Sequence, residues 1–575
     1  MQPLSYISAY THRPKSAGSR LHPVSINLIT NFTDDVLERI LGGMCLNEGL
    51  YPVITKAPYK QYGIALNDRT SPIYRSKPDI SFVIFDASAH HQSEFLSAEH
   101  RDDTLSAINA YAGAVGGHTV VGLFSLPYRG AYGHFFSEEP LFVALSDFNH
   151  KIKRLAQTNP ALHVFDANKV MHRIGEEQAR DPRGQCAFDM PFTSEFLAAL
   201  CAEWMAYVRA GLGLSRKCIV LDLDNTLWGG VVGEEGPLGV TLGKEYPGVA
   251  YQHFQRALLS LWECGVILAI NSKNNEADVR EVFEKNPHMV LKEEHFAAVR
   301  ANWDDKSTNI KSLAEELNIG LESVVFIDDS PLERERMRQE VPEVLTPDWS
   351  VEPEEYVQKL LALNVFHQMS FTEEDKKKGK MYAEEARRKK VAKTAGSVEE
   401  YIKKLRIKIQ VAEGDRVAIA RASQLTQKTN QYNLTTKRYS EADIAALIKK
   451  GVLVATGEVS DVFGGYGIVL LAIMEVHGKE ASLDTFLMSC RVMGRGVEQA
   501  FFEHLLGRLR TRGVSTITAC FVASAKNKPA EGFLPAMGFK KTGVKLNERR
   551  YMLALGPAAK KLTSRKGKSI LVLSS

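Results

Sequence analysis

Between Lys217 and Gln368 three β-forming runs each end on polar side chains. CIVLDLD ends on Asp222 and Asp224, GVILAINS on Ser272, and SVVFIDD on Asp328 and Asp329. Helical stretches separate the runs, so the strands are expected to lie parallel in an α/β unit. Ligands of open parallel sheets bind beyond the carboxyl ends of the strands, where these side chains fall. Residues i and i+2 of a strand share a face. If the first strand continues through Asp224, its two carboxylates repel each other by about 4 kcal/mol at about 4 Å and an effective dielectric of about 20. A cation has to offset that. All-oxygen donors with no His or Cys among them favour Mg²⁺, expected on Asp222, Asp224, Asp328 and Asp329. Lys306, in NWDDKSTNIK, adds a second positive charge, with Lys311 as the competing lysine. Such a site suits a phosphoryl group.

A chain of 575 residues exceeds one ordinary core. The sequence divides at composition changes into 1–213, 214–368, 369–400 and 401–575. From Val24 to Gly213 the runs VSINLIT, ISFVIFDAS, TVVGLFSL and ALHVFDA alternate with amphipathic helices, as in a parallel α/β sheet; residues 1–23 read as a tail. Ser370–Glu400, dense in Lys and Glu, reads as an exposed connecting helix. The last segment carries the strands YGIVLLAIMEV, ASLDTFLMSC and STITACFVAS and ends in a basic tail read as a loose end.

A net charge of +4 makes no case for nucleic acid. The seven cysteines are odd in number, scattered and without a CxxC pair, which fits reduced intracellular thiols. The first residues lack a signal-peptide pattern, and no apolar run approaches the ~20 residues of a membrane span. A cytoplasmic protein without a membrane partner is expected.

In the last segment, LMSCRVMGRGVEQAFFEHLLGRLR reads as strand, loop and helix, with Val497, Phe501 and Leu505 on one apolar face. A glycine loop at a helix start points backbone N–H groups at an anion. Cys490 stands beside Arg491 and ahead of that helix, a setting that favours the thiolate, although a lone cysteine is commonly just a small buried hydrophobe.

The Asp222-Leu-Asp224-Asn-Thr226 run, Ser272, Lys306 and the Asp328-Asp329 pair together resemble the four motifs of the haloacid dehalogenase (HAD) superfamily of phosphotransferases. The resemblance implies that Asp222 is a nucleophile forming an aspartyl-phosphate and Asp224 a general acid and base. Ser272 would bind a phosphoryl oxygen and Lys306 would stabilise charge. Mg²⁺ would be held by Asp222, Asp328, Asp329 and the backbone of Asp224. The short spacings leave no room for a cap domain, and WGGVVGEEGPLGVTLG reads as a β-hairpin flap over an open site. The loop Arg491–Gly496 resembles the (Q/R)xxGx(G/A) loop of GNAT-like acyltransferases. That implies pantetheine-phosphate binding by Arg491, Gly494, Arg495 and Gly496, with Asn527 opening a following helix. The first segment resembles an SGNH-hydrolase fold, but LITNFTDD stands where an active hydrolase has Gly-Asp-Ser. DPRGQC at Asp181 is the nearest substitute for its Asp-x-x-His, so a docking or structural module is expected.

This domain order, with QLTQKTNQYNLTTKRYS, SDVFGGYGIV and SCRVMGRGVE, resembles the FkbH-like family almost end to end. The resemblance implies conversion of 1,3-bisphosphoglycerate into a glyceryl thioester on an acyl carrier protein, as for polyketide assembly. Cys490 would take the acyl group and the HAD site the remaining phosphate, in an order left open. The chain has no Asp-Ser-Leu carrier motif, so the carrier acts in trans. The alternatives are a plain Mg²⁺ phosphatase with a partner-binding third segment, and a non-catalytic scaffold.

Overall fold

A computed structural model describes residues 3–14, 21–87, 92–124, 138–369, 384–385, 388, 396–415, 418–429, 431–439, 441–524, 527–545, 548–555 and 570–574. The chain divides into two compact units. The first comprises Met1–Leu258, Asn271–Val290 and Asn302–Thr372; the second Leu259–Ile270, Leu291–Ala301 and Glu373–Ser575. The first two expected domains therefore fall largely in one unit.

The N-terminal sheet has the order β2-β1-β3-β4-β5, with β1 His22–Thr30, β2 Leu50–Lys56, β3 Ile80–Ile84, β4 His118–Leu123 and β5 Leu162–Asp166. All its pairings are parallel. Apolar clusters form on Leu28, Phe82 and Trp204 and on Ile29, Val83 and Phe148, so alternate residues of one strand serve different cores. The stacking of Phe82 on Trp204, with ring centroids 4.1 Å apart, ties the sheet to the helix Ser194–Gly211. β2 was not among the strands expected; it is the edge strand, and its Val53 is exposed. The expected tail contains a helix, Pro3–Thr11, whose Tyr10 is buried and donates to Glu38 at 2.9 Å.

The phosphatase-motif region forms a four-stranded sheet, β8-β7-β6-β9, from β6 Cys218–Leu221, β7 Ile267–Ser272, β8 Phe296–Ala301 and β9 Val324–Ile327. Every residue of β6, β7 and β9 is buried, which explains their unbroken apolar runs. The expected hairpin flap is instead a loop. Backbone hydrogen bonds between Gly229 and Thr241 close it, and the one-turn helix Val232–Glu235 lies within it.

The second unit is α+β. Its eight-stranded sheet runs β15-β16-β14-β13-β12-β11-β10-β17. Its strands are β10 Lys408–Glu413, β11 Leu453–Asp461, β12 Gly464–His477, β13 Glu480–Met488, β14 Thr516–Val522, β15 Lys540–Lys545, β16 Glu548–Ala554 and β17 Leu571–Ser574. The pairings are antiparallel except β13–β14 and β10–β17. The strand β17 is an edge of this sheet; the basic tail around Lys560–Lys568, expected to be a loose end, lies outside the described residues. Most of the expected connecting helix also lies outside them. Where it is described, Glu384 and Arg388 are buried, not exposed. Among the described residues no helix is long and apolar enough to cross a membrane.

Candidate active site

The register Leu221↔Ile327 sets β6 and β9 level, so the residues that follow, Asp222 and Asp328, leave the sheet side by side. Asp222 N donates to the Ile327 carbonyl at 2.9 Å. Lys306, the first residue of the helix Lys306–Leu317, reaches both carboxylates, at 3.0 Å from Asp222 Oδ1 and 2.6 Å from Asp328 Oδ2. Asn271 Nδ2 donates to the Lys306 carbonyl at 2.8 Å and fixes the start of that helix. Lys311 is exposed on the same helix and outside the cluster.

Asp222, Asp328 and Asp329 each offer a carboxylate oxygen within 4.8 Å of the others. Three carboxylates against one ammonium leave two negative charges in a site where Asp328 is fully buried. Burial, then the Asp222 charge, pushes the Asp328 carboxyl up to about 7, and the same causes raise Asp329. Burial pulls the Lys306 ammonium down, but Asp222 and Asp328 outweigh it and its pKa is raised. Asp222 Oδ1 is buried with the Lys306 ammonium 3.0 Å away. Three clustered carboxylates facing one ammonium, in an all-oxygen donor set, fit a divalent hard cation.

Asp224 behaves differently. β6 stops at Leu221, so the strand geometry that would place Asp222 and Asp224 on one face does not extend to them. The Asp224 carboxylate is outside the metal cluster. Its Oδ1 accepts from Trp228 Nε1 at 2.9 Å and Val232 N at 3.2 Å, and its Oδ2 from Asn274 Nδ2 at 3.1 Å. Only its backbone is left to serve a metal. Ser272, the buried last residue of β7, also accepts from Asn274, at 3.1 Å.

Three residues had no assigned role in the sequence reading. Asn274 ties Asp224 to Ser272 and was visible in NSKNN, two positions past the serine. Thr226 accepts from Asp329 N at 3.2 Å. Arg334, buried, donates to the carbonyls of Asp328 and Asp329 at 2.9 and 2.6 Å, locking the acidic turn. No local signal marks Arg334: its partners in the acidic turn are backbone carbonyls, and its side-chain partners, Asp348 and Ser350, lie well over a helix turn away in sequence.

In the N-terminal sheet, Asn31 follows β1. Its amide exchanges two 2.8 Å hydrogen bonds with the Asp86 backbone, and Asp86 pairs with Arg180 at 2.6 Å. Asp181 accepts from Gly184 N and caps the helix Pro182–Phe188. Asn31, Asp86 and Arg180 are thus engaged with one another, and Asp181 with its own helix.

In the second unit Cys490 is exposed, but it opens a one-turn helix, Cys490–Val492. The long helix begins only at Val497, so the expected placement of Cys490 at its N-terminus does not hold. Gly494 and Gly496 have φ of 79° and 78°, which favours glycine at both. The Arg495 side chain turns away from solvent and donates to the Arg491 carbonyl at 2.6 Å. Beyond Leu483 and Ala519 the parallel pairing of β13 and β14 ends, and Tyr432–Leu434 bonds to both strands: Met488 N donates to Tyr432 O, Leu434 N to Phe486 O, and Val522 N to Leu434 O. Asn527 donates to the carbonyls of Asn433 and Val522 and accepts from Ser524 N. Its amide is thus occupied within the protein.

Residues 217–377 match the model of the NLI interacting factor-like phosphatase family. The chain is 27% identical to the N-terminal part of the protein BF1531 from Bacteroides fragilis, whose structure contains a phosphatase domain complexed with Mg. That likeness covers 64% of this chain and 100% of the other, with a TM-score of 0.59. Over residues 217–377 this chain therefore resembles a phosphatase domain, and its carboxylate cluster lies within that stretch. An Escherichia coli ribosomal-protein alanine N-acetyltransferase is 18% identical over 26% of this chain and 97% of its own, at a TM-score of 0.22. An acetyltransferase from Bacillus cereus is 12% identical over 26% and 99%, at 0.20. No curated protein matches the chain.

Two expectations follow. Lys306→Ala should slow phosphate release by about 10²-fold or more, the usual cost of removing one charge stabiliser, while Lys311→Ala should leave it near wild type. Steady-state phosphate release of both variants checks the ranking. The second concerns pH. The raised Asp328 pKa means that the metal-free fold holds a proton its unfolded chain releases near the ordinary carboxylate range. The resulting stability is full below about pH 4 and is lost as pH rises through about 7. Because Mg²⁺ competes with that proton, its stabilisation should grow with pH. Thermal melts should show a larger Mg²⁺-induced rise in Tm at pH 8 than at pH 5.5; equal rises would refute the linkage.

Proposed function

We propose that this protein is a glyceryl transferase and phosphatase. It takes 1,3-bisphosphoglycerate, removes a phosphate at Asp222 and loads the glyceryl group as a thioester on an acyl carrier protein in trans. The observation that carries the phosphatase half is the cluster of Asp222, Asp328 and Asp329 carboxylates facing the single Lys306 ammonium. Mg²⁺ bound by Asp222, Asp328, Asp329 and the Asp224 carbonyl would neutralise charge on the transferring phosphoryl group.

A carboxylate oxygen of Asp222 attacks phosphorus as the bond to the leaving oxygen breaks, and Asp224 gives that oxygen its proton. Water deprotonated by Asp224 then opens the aspartyl-phosphate and returns Asp222. Asn274 aims both Asp224 and Ser272, the latter at a phosphoryl oxygen. In the transferase half, the Cys490 thiolate attacks the acyl-phosphate carbonyl, phosphate leaves, and the thioester passes to the carrier's phosphopantetheine thiol.

A second reading draws support from the internal partners of Asn527 and Arg495: a Mg²⁺ phosphatase whose second unit only binds a partner. Incubation with 1,3-bisphosphoglycerate, Mg²⁺ and candidate carriers, followed by intact mass measurement, separates them. A glyceryl thioester on a carrier supports the first reading. Phosphate release with no carrier acylated favours the second.

A further inference from the structure

The segment SDVFGGYG, Ser460–Gly467, spans the turn between β11 and β12 and has no part in either proposed reaction. It meets two residues from the stretch expected to be an exposed linker, Glu384 and Arg388. Arg388 forms a two-pronged pair with Asp461, 2.7 Å from Oδ2 and 3.0 Å from Oδ1. Both side chains are buried, at 1% and 0% exposure. Tyr466 donates to the same carboxylate at 2.6 Å, and the Arg388 guanidinium lies 4.1 Å from the Tyr466 ring centroid. A Cβ on Gly464 would stand 2.2 Å from the Glu384 carboxylate, so a side chain there would push Glu384 aside, and the φ of 150° itself disfavours other residues.

The same cluster reaches the glycine loop. Arg495 lies between Gly494 and Gly496, and its guanidinium is 4.9 Å from the Tyr466 ring and 2.7 Å from Glu385 Oε1. A carboxylate of the linker thus sits on the cation of the loop that, in the reading given above, receives a pantetheine phosphate. A phosphate arriving at Arg495 would meet the Glu385 carboxylate already 2.7 Å from the same guanidinium, and the two anions repel each other.

Resting on that reading, we propose that Glu385 is a built-in competitor for the loop. Glu385, placed by Glu384 and Arg388 against the Asp461–Gly464–Tyr466 cradle, holds Arg495 until the phosphate of a pantetheine-bearing partner displaces it. Phosphopantetheine binding and release of Glu385 from Arg495 are then linked, so each favours the other.

The test measures binding of pantetheine 4′-phosphate by titration calorimetry to the full-length protein and its Glu385→Gln, Gly464→Ala and Arg495→Ala variants. Glu385→Gln should bind about 5- to 100-fold more tightly than wild type, the range of ordinary coupling between sites. Gly464→Ala, which crowds Glu384 out of its notch, should also tighten binding and increase hydrogen exchange around residues 384–388. Arg495→Ala should bind more weakly. Phosphate release at Asp222 should be unchanged in Glu385→Gln. Wild-type binding that Glu385→Gln leaves equal or weaker would overturn the latch alone. Absence of binding by every form would overturn the loop assignment and the latch with it.

Discussion

Asp222→Asn should release phosphate at least ~10⁴-fold more slowly than wild type while remaining folded. The amide has nearly the shape of the carboxylate, so packing around β6 and the backbone bond from residue 222 to Ile327 survive. It is a poor nucleophile and a weak metal ligand, and it removes one of the three carboxylates that form the cluster. Removing a charge from a site with two surplus negative charges should also stabilise the metal-free fold. Loss of turnover with an unchanged or raised metal-free Tm is therefore the expected pair of results. Phosphate release retained at more than a small percentage of wild type would end the assignment of Asp222 as nucleophile.

Cys490→Ala should abolish loading of the carrier and leave phosphate release from simple phosphate esters intact. The side chain is exposed in a one-turn helix, so its removal opens no cavity and should cost little stability. Thiol-to-thiol transfer is nearly thermoneutral, and holding the two thiols together contributes several kcal/mol. In the absence of carrier, an acyl adduct should accumulate on the wild-type protein and map to the peptide containing Cys490. Normal loading by the alanine variant would reject the assignment. An adduct elsewhere would point to another thiol, with Cys520 the half-buried candidate on β14.

Strands that end in Asp, Ser or an Asp pair were legible because a parallel strand buried on both faces must be apolar until it leaves the sheet. The first polar residues therefore mark the strand ends and the site together. Asp222, Asp328 and Asp329 stand just past β6 and β9, Ser272 closes β7 after Asn271, and Lys306 was found by its position before β9. The strands β2, β8, β10, β11, β15, β16 and β17 and the helix at Pro3–Thr11 were not found. Edge strands and short helices carry weaker apolar patterns, and pairing partners far along the chain decide them.

The sequence by itself determined which residue types stand at the strand ends, and hence the hard-cation phosphoryl chemistry. Only the tertiary structure decided how they divide the work. It took Asp224 out of the metal cluster, because β6 ends before it and Trp228, Val232 and Asn274 claim its oxygens. It turned Asn527 and Arg495 inward and buried Arg388 against Asp461. Spacing along a chain specifies which side chains can share a face, but hydrogen-bond partners brought from far away decide where each polar group points.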